Sequence, residues 1–113
     1  MSKQSVPLLI LPVKATSAIT EYRLVDFTGA QVAAADAVWL GVARRSAPVG
    51  EYVDISTEGT EAIEVGGAIA TGVLVYSDAS GRVSTTGTTN PVGRALQAAT
   101  AAGDIIEVLL NKR

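Results

Sequence analysis

The chain has no cysteine and no histidine. The first absence removes any disulfide framework and any thiolate metal site. The second removes the usual general base at neutral pH, the Ser-His and Cys-His dyads and the commonest metal ligand. Aromatic residues are scarce at 4%: Trp39, Tyr22, Tyr52, Tyr76 and Phe27, few anchors for sugars, bases or flat cofactors. The charges are sparse and mixed, 9 basic against 11 acidic for a net of -2. With no basic stripe and no acidic tail, nucleic acid is not expected as a partner. The longest apolar run, Pro7 to Val13, is far too short to span a bilayer as a helix, so no membrane partner is expected. Met1-Ser2-Lys3-Gln4 does not begin a secretory signal, and synthesis and retention in a cytoplasm are expected.

What is present is mostly Val, Ile, Leu and Ala, 113 residues in all and 48% hydrophobic. That is one domain, long enough to bury roughly 65% of its unfolded surface. The dominant pattern is an internal repeat. Gly41, Ala43, Gly50, Glu51, Val53 and Ile55 recur as Gly93, Ala95, Gly103, Asp104, Ile106 and Val108. Upstream, Ile19, Leu24 and Val25 recur as Ile69, Leu74 and Val75. Two pseudo-repeats, about 19–55 and 69–108, are therefore expected inside one β domain spanning 18–113.

Residues 1–17 stand outside that repeat. Val6-Pro7-Leu8-Leu9-Ile10-Leu11-Pro12-Val13 is apolar, and its prolines disfavour a central strand. The segment reads as an extended N-terminal arm or an edge strand. It is too apolar to be left in water, so Val6, Leu8, Leu9, Ile10, Leu11 and Val13 are the expected interface residues. From residue 18 onward short strands alternate with turn chemistry. They are read at Ile19–Phe27, Val38–Ala43, Glu51–Thr57, Glu61–Val65, Val73–Tyr76, Arg82–Thr85, Val92–Gln97 and Asp104–Leu110, the third by clean period-2 alternation. Gly66–Gly72 reads as a tight turn or one helical turn, and the Ala-rich stretches Val32–Ala37 and Leu96–Ala102 as connections. The class is all-β, a small barrel or sandwich.

Searches for chemistry return little. There is no phosphate-cradling G-x-x-x-x-G-K-[ST] and no glycine motif opening a long helix. Ser80 has no histidine to activate it, and Lys3, Lys14 and Lys112 lie near the termini. Glu51, Asp54, Glu58, Glu61 and Glu64 could in principle do acid–base work or hold Ca²⁺. Carboxylates on the exposed faces of strands explain them more simply. Arg44-Arg45 could meet an acidic partner or serve as a solvated loop. Trp39, beside the G-x-A motif, could anchor an interface or pack in the core. No catalytic residue, metal or cofactor is expected.

The order and spacing of several short motifs resemble the phage capsid cement, or decoration, proteins of tailed phages. The residues that carry the resemblance begin with Ser5-Val6-Pro7-Leu8-Leu9, Leu40-Gly41-Val42-Ala43 and Gly50-Glu51. Gly67-Ala68-Ile69-Ala70-Thr71-Gly72 and Ser77-Asp78-Ala79-Ser80-Gly81 follow, then Gly93-Arg94-Ala95-Leu96 and Ala101-Ala102-Gly103-Asp104. The resemblance covers nearly the whole chain. It implies a structural virion protein that binds the outer surface of an icosahedral shell, usually as trimers at threefold sites, and reinforces it. Its partners would be the major capsid protein and itself, with the host cytoplasm as the place of assembly. The alternative is a small β-rich adhesive or adaptor module that binds a host surface or carbohydrate.

Overall fold

Most of the strands are short, two to six residues, because glycine and Asx turns break the chain between them, while two are long. The computed structural model describes residues 5–111, and among them there is no helix. Eight strands follow in order: β1 (Val6–Lys14), β2 (Leu24–Val25), β3 (Gly41–Ala43), β4 (Tyr52–Glu64), β5 (Leu74–Ser77), β6 (Val83–Ser84), β7 (Gly93–Ala95) and β8 (Ile105–Leu110). They form one antiparallel sheet ordered β2-β3-β4-β8-β7-β5-β6, with β1 on the other edge of β4. The sheet curls into a half-barrel, so the fold is all-β.

The internal repeat is written in the hydrogen bonds. Ala43 lies opposite Ile55 as Ala95 lies opposite Val108, and Leu24 lies opposite Val42 as Leu74 lies opposite Arg94. The Ile19↔Ala47 bridge recurs as Ile69↔Ala99. Each unit also carries an Asx-anchored hairpin. Asp26 Oδ1 accepts the N–H of Thr28 and Ala30, and Asp78 Oδ1 accepts those of Ser80 and Arg82. The local signal, Asp-x-[Thr/Ser]-Gly at Asp26–Gly29 and again at Asp78–Gly81, is a repeat that the G-x-A alignment does not include.

The glycine of G-x-A has one physical reason in both units. A Cβ on Gly41 would strike the carbonyl oxygen of Ser56, and a Cβ on Gly93 that of Leu109. Only glycine lets the short middle strand approach its long neighbour this closely.

The two units share β4. Glu51–Thr57 and Glu61–Val65, expected as separate strands, are joined in one strand of thirteen residues. Residues 57–60 carry turn-like Thr, Glu and Gly, yet the chain bends there without stopping. Gly59 adopts φ 101°, and a Cβ on it would collide with Val6 O and crowd the Leu8 amide. β1 continues to pair across the bend as far as Thr60. On the opposite edge of β4 the partner changes from β3 to β8. Ile19–Phe27 and Val38–Ala43 shrink to two and three residues of strand, because the sheet partners reach only that far.

Each unit has its own core. Ala15, Ile19, Val25, Ala43, Ala47, Val53 and Ile55 fill the first. Their equivalents Val65, Ile69, Val75, Ala95, Ala99, Ile106 and Val108 fill the second. Alternation then sets up the contact between units. Leu24 and Val42 point away from the first core and, with Val32 and Trp39, pack onto the second. A clasp reinforces this joint: the Asp36 carboxylate accepts the N–H of Thr88, Thr89 and Asn90, and the Asn90 amide donates back to Asp36 O.

Candidate functional site

β1 is where the fold leaves apolar surface in water. The strand pairs with β4 along Val6↔Thr60 to Lys14↔Tyr52, broken by irregular register around Leu8 and Leu9. It lies on its own chain. Pairing through one edge leaves most of its side chains uncovered, and seven of its nine residues are exposed. Leu8 is 74% exposed, and Val6, Leu9, Ile10 and Leu11 join it. Val13 is half-buried against the first core. Exposed aliphatic side chains grouped on one rigid strand mark an interaction surface more strongly than scattered ones do.

Neighbouring strands extend the surface. Thr60 is flanked in register by Val6 on one side and by exposed Leu109 on the other. An open groove of about 320 Å³ lies beside this row, lined by Leu8, Thr57, Glu58, Gly59, Leu109, Leu110 and Asn111. It occupies the notch in β4 where β3 has ended and β8 begins. Tyr52, opposite Lys14, adds an exposed ring at the far end. Carboxylates border the strip: Glu58 opposite Leu9 and Asp54 opposite Pro12. Leu109 and Tyr52 belong to this surface, though the sequence reading did not select them. The signal lies in period-2 patterns that place one apolar residue of each strand on the outward face.

The free edge of β1 is blunted. Ala15 N–H donates to Glu51 O, so odd-numbered residues of the regular stretch turn their amides toward β4. Position 12 therefore turns outward, and Pro12 has no N–H to offer there. A missing donor on an exposed edge discourages open-ended strand addition. The side-chain faces, more than the backbone edge, are what this strand presents.

The other candidate residues lie elsewhere. Trp39 is buried at the joint between units, its indole N–H donating to Pro91 O at 3.1 Å. Arg44 faces the buried Glu61 carboxylate, Nε to Oε2 3.8 Å. Burial first, then the carboxylates of Glu21 and Glu61, pushes the Tyr22 phenol above its ordinary range. Arg45 is tied to its own hairpin, through Tyr52 O and the Glu51 carboxylate at 3.9 Å. The acidic residues do not converge: among the described residues no three carboxylates come together as a metal site would need.

Sequence comparison matches a family model described as phage cement protein over residues 4–110. The chain belongs to the phage cement protein family. It is a capsid-associated structural protein, a component of the phage virion. Among solved structures, the N base of head fiber gp8.5 from bacteriophage phi29 has a similar fold, with a TM-score of 0.71. The two are 17% identical over 91% of this chain and 93% of that one. A search of curated proteins finds no match to the sequence. This cement protein thus presents a stiff antiparallel body with one apolar strand laid along its side.

Proposed function

We propose that the protein binds the outer face of an icosahedral capsid as trimers at threefold sites and stabilises the shell. The single observation that carries the reading is the solvent-facing aliphatic strip around Leu8, Val6 and Leu109, beside the groove in β4. Its occupant is the major capsid protein, assembled in the host cytoplasm. The strip is rimmed by Asp54 and Glu58, so the complementary shell surface is apolar with a basic border. Attachment in many copies turns modest single contacts into tight binding. A role of this kind uses shape and area, in keeping with the family's structural character.

The test uses purified protein and shells lacking it. Wild-type protein should co-sediment with shells and raise the temperature at which they open. Leu8→Asp and Leu109→Asp should weaken binding at least tenfold while leaving the unfolding midpoint nearly unchanged, since surface changes usually cost under about 0.5 kcal/mol. Undiminished binding by both variants would place the shell contact on another face.

A further inference from the structure

The internal repeat is its own control for what each turn needs. The Asp26 hairpin matches the Asp78 hairpin, and the turn at 48–51 matches the turn at 101–104. Glu51 N–H donates to Pro48 O as Asp104 N–H donates to Ala101 O, and Gly50 N–H donates to Ala15 O as Gly103 N–H donates to Val65 O. The backbone is shared, but the side chains at the tips are not. Phe27 stands where Ala79 stands, Val49 where Ala102 stands and Tyr52 where Ile105 stands. Phe27 is 65% exposed, Val49 63% and Tyr52 62%. Alanine serves at the first two places in the second unit, so the turns themselves do not require bulk there. Grouped apolar bulk in water that the fold does not need marks an interaction surface.

The three side chains are gathered at one end of the molecule. Thr16 N–H donates to Gly29 O and its hydroxyl to Thr28 O, while Ala15 N–H donates to Glu51 O and Ala15 O accepts from Gly50. The hairpin that carries Phe27 and the turn that carries Val49 therefore flank the same two residues of chain, one on either side. Tyr52 lies opposite Lys14, just before them. Leu8, at the centre of the shell strip, is six residues back along β1, a distance of about 20 Å. The charges differ as well. The shell strip is bordered by Asp54 and Glu58, whereas this end also carries exposed Lys14, Arg45 and Glu51. Among the described residues Lys14 and Asp54 are in no ion pair. A shell surface with a basic border suits the strip but would repel Lys14 and Arg45. An end of mixed sign suits a partner of mixed sign, which a second copy of the same end provides.

We propose that copies of the chain meet through this end, with Phe27 of one copy against Val49 and Tyr52 of the next. The proposal rests on the reading of the protein as a homo-oligomer and names the contact that builds it. Phe27 and Val49 lie on opposite sides of Ala15 and Thr16, so the contact is heterologous, head to tail, and gives a closed ring when the rotation closes. Two rings and a valine within a border of mixed charge have the make-up of an interface centre and its polar rim. The contact leaves Val6 and Leu8, at the other end of β1, free for the shell.

A chain without cysteine allows a clean crosslinking test. Phe27→Cys protein mixed with Val49→Cys protein should form a mixed disulfide dimer on mild oxidation, and each variant alone should give at least tenfold less. Ala79→Cys mixed with Ala102→Cys, the matching places of the second unit, should not link. Phe27→Ala and Val49→Ala in one chain install the residues that the second unit already carries on the same turns. That variant should keep its unfolding midpoint and lose association at least tenfold in light scattering. Absence of the 27–49 link, both in concentrated free protein and on shells, would overturn the contact. A Val49→Cys link to itself as strong as the mixed one would overturn the head-to-tail arrangement. The 27–49 link in protein that ignores shells supports the contact and removes the capsid reading; shell binding without the link removes the contact and leaves the capsid reading standing.

Discussion

At the residue scale, aspartates do much of the tying. Asp36 and Asp104 are held below the ordinary carboxylate range by backbone N–H donors, foremost Thr88 for Asp36 and Thr100 for Asp104. For Asp26 burial pushes upward, but the hydrogen bonds from Thr28 and Ala30 together outweigh it and bring the group down. A folded-state value below the unfolded one, near 3.9, adds stability that is complete above that pH. It is lost as pH falls through the folded values. The denaturant midpoint should therefore be flat from neutral pH to about 5 and fall below about 4. Asp36→Asn should flatten that fall, and an unchanged acid limb in this variant would show that the clasp does not contribute. Trp39 is the other residue of consequence. Trp39→Ala should cost roughly 3–5 kcal/mol in chemical unfolding, because it opens a cavity at the joint and orphans Pro91 O. The sequence left Trp39 open between core and interface, since a lone Trp beside a turn carries no mark of which side will be covered.

At the element scale, the decisive strand is β4. Its alternation was legible in two pieces, Glu51–Thr57 and Glu61–Val65. Its continuity was not, because local composition at Thr57–Thr60 is that of a turn. Long-range pairing with β1 overrode that preference, and Gly59 supplied the one backbone conformation that permits the bend. Gly59→Val should cost at least about 1–3 kcal/mol from backbone strain, with further loss from the clash against β1, read as a lowered midpoint with native far-UV signal. Removal of residues 1–17 deletes β1 and also Ala15, which is 2% exposed in the first core. The truncated protein should lose several kcal/mol, whereas Leu8→Asp, on the same strand but in solvent, should lose almost nothing. Equal stability of the truncated and full chains would show that β1 adds nothing to the first unit.

At the scale of the whole molecule, the protein is two copies of one motif fused through a shared strand and locked by a face-to-core contact. Residues of the first unit cover the second core, and β1 of the first unit is left largely in solvent. Sequence alone determined the all-β class, the internal repeat and the lack of reactive side chains, because these follow from residue types and from periods of two along the chain. It also set the aliphatic segment Val6–Val13 apart as an arm or an edge strand, because prolines at 7 and 12 do not fit a central strand. Only the tertiary structure decided that β4 is one strand, that Trp39 is inside and that Leu109 and Tyr52 join β1 on the outer surface. Those outcomes depend on which strands meet across fifty residues of chain. Such pairings are settled by the summed burial of two cores, and no local stretch of sequence carries that sum.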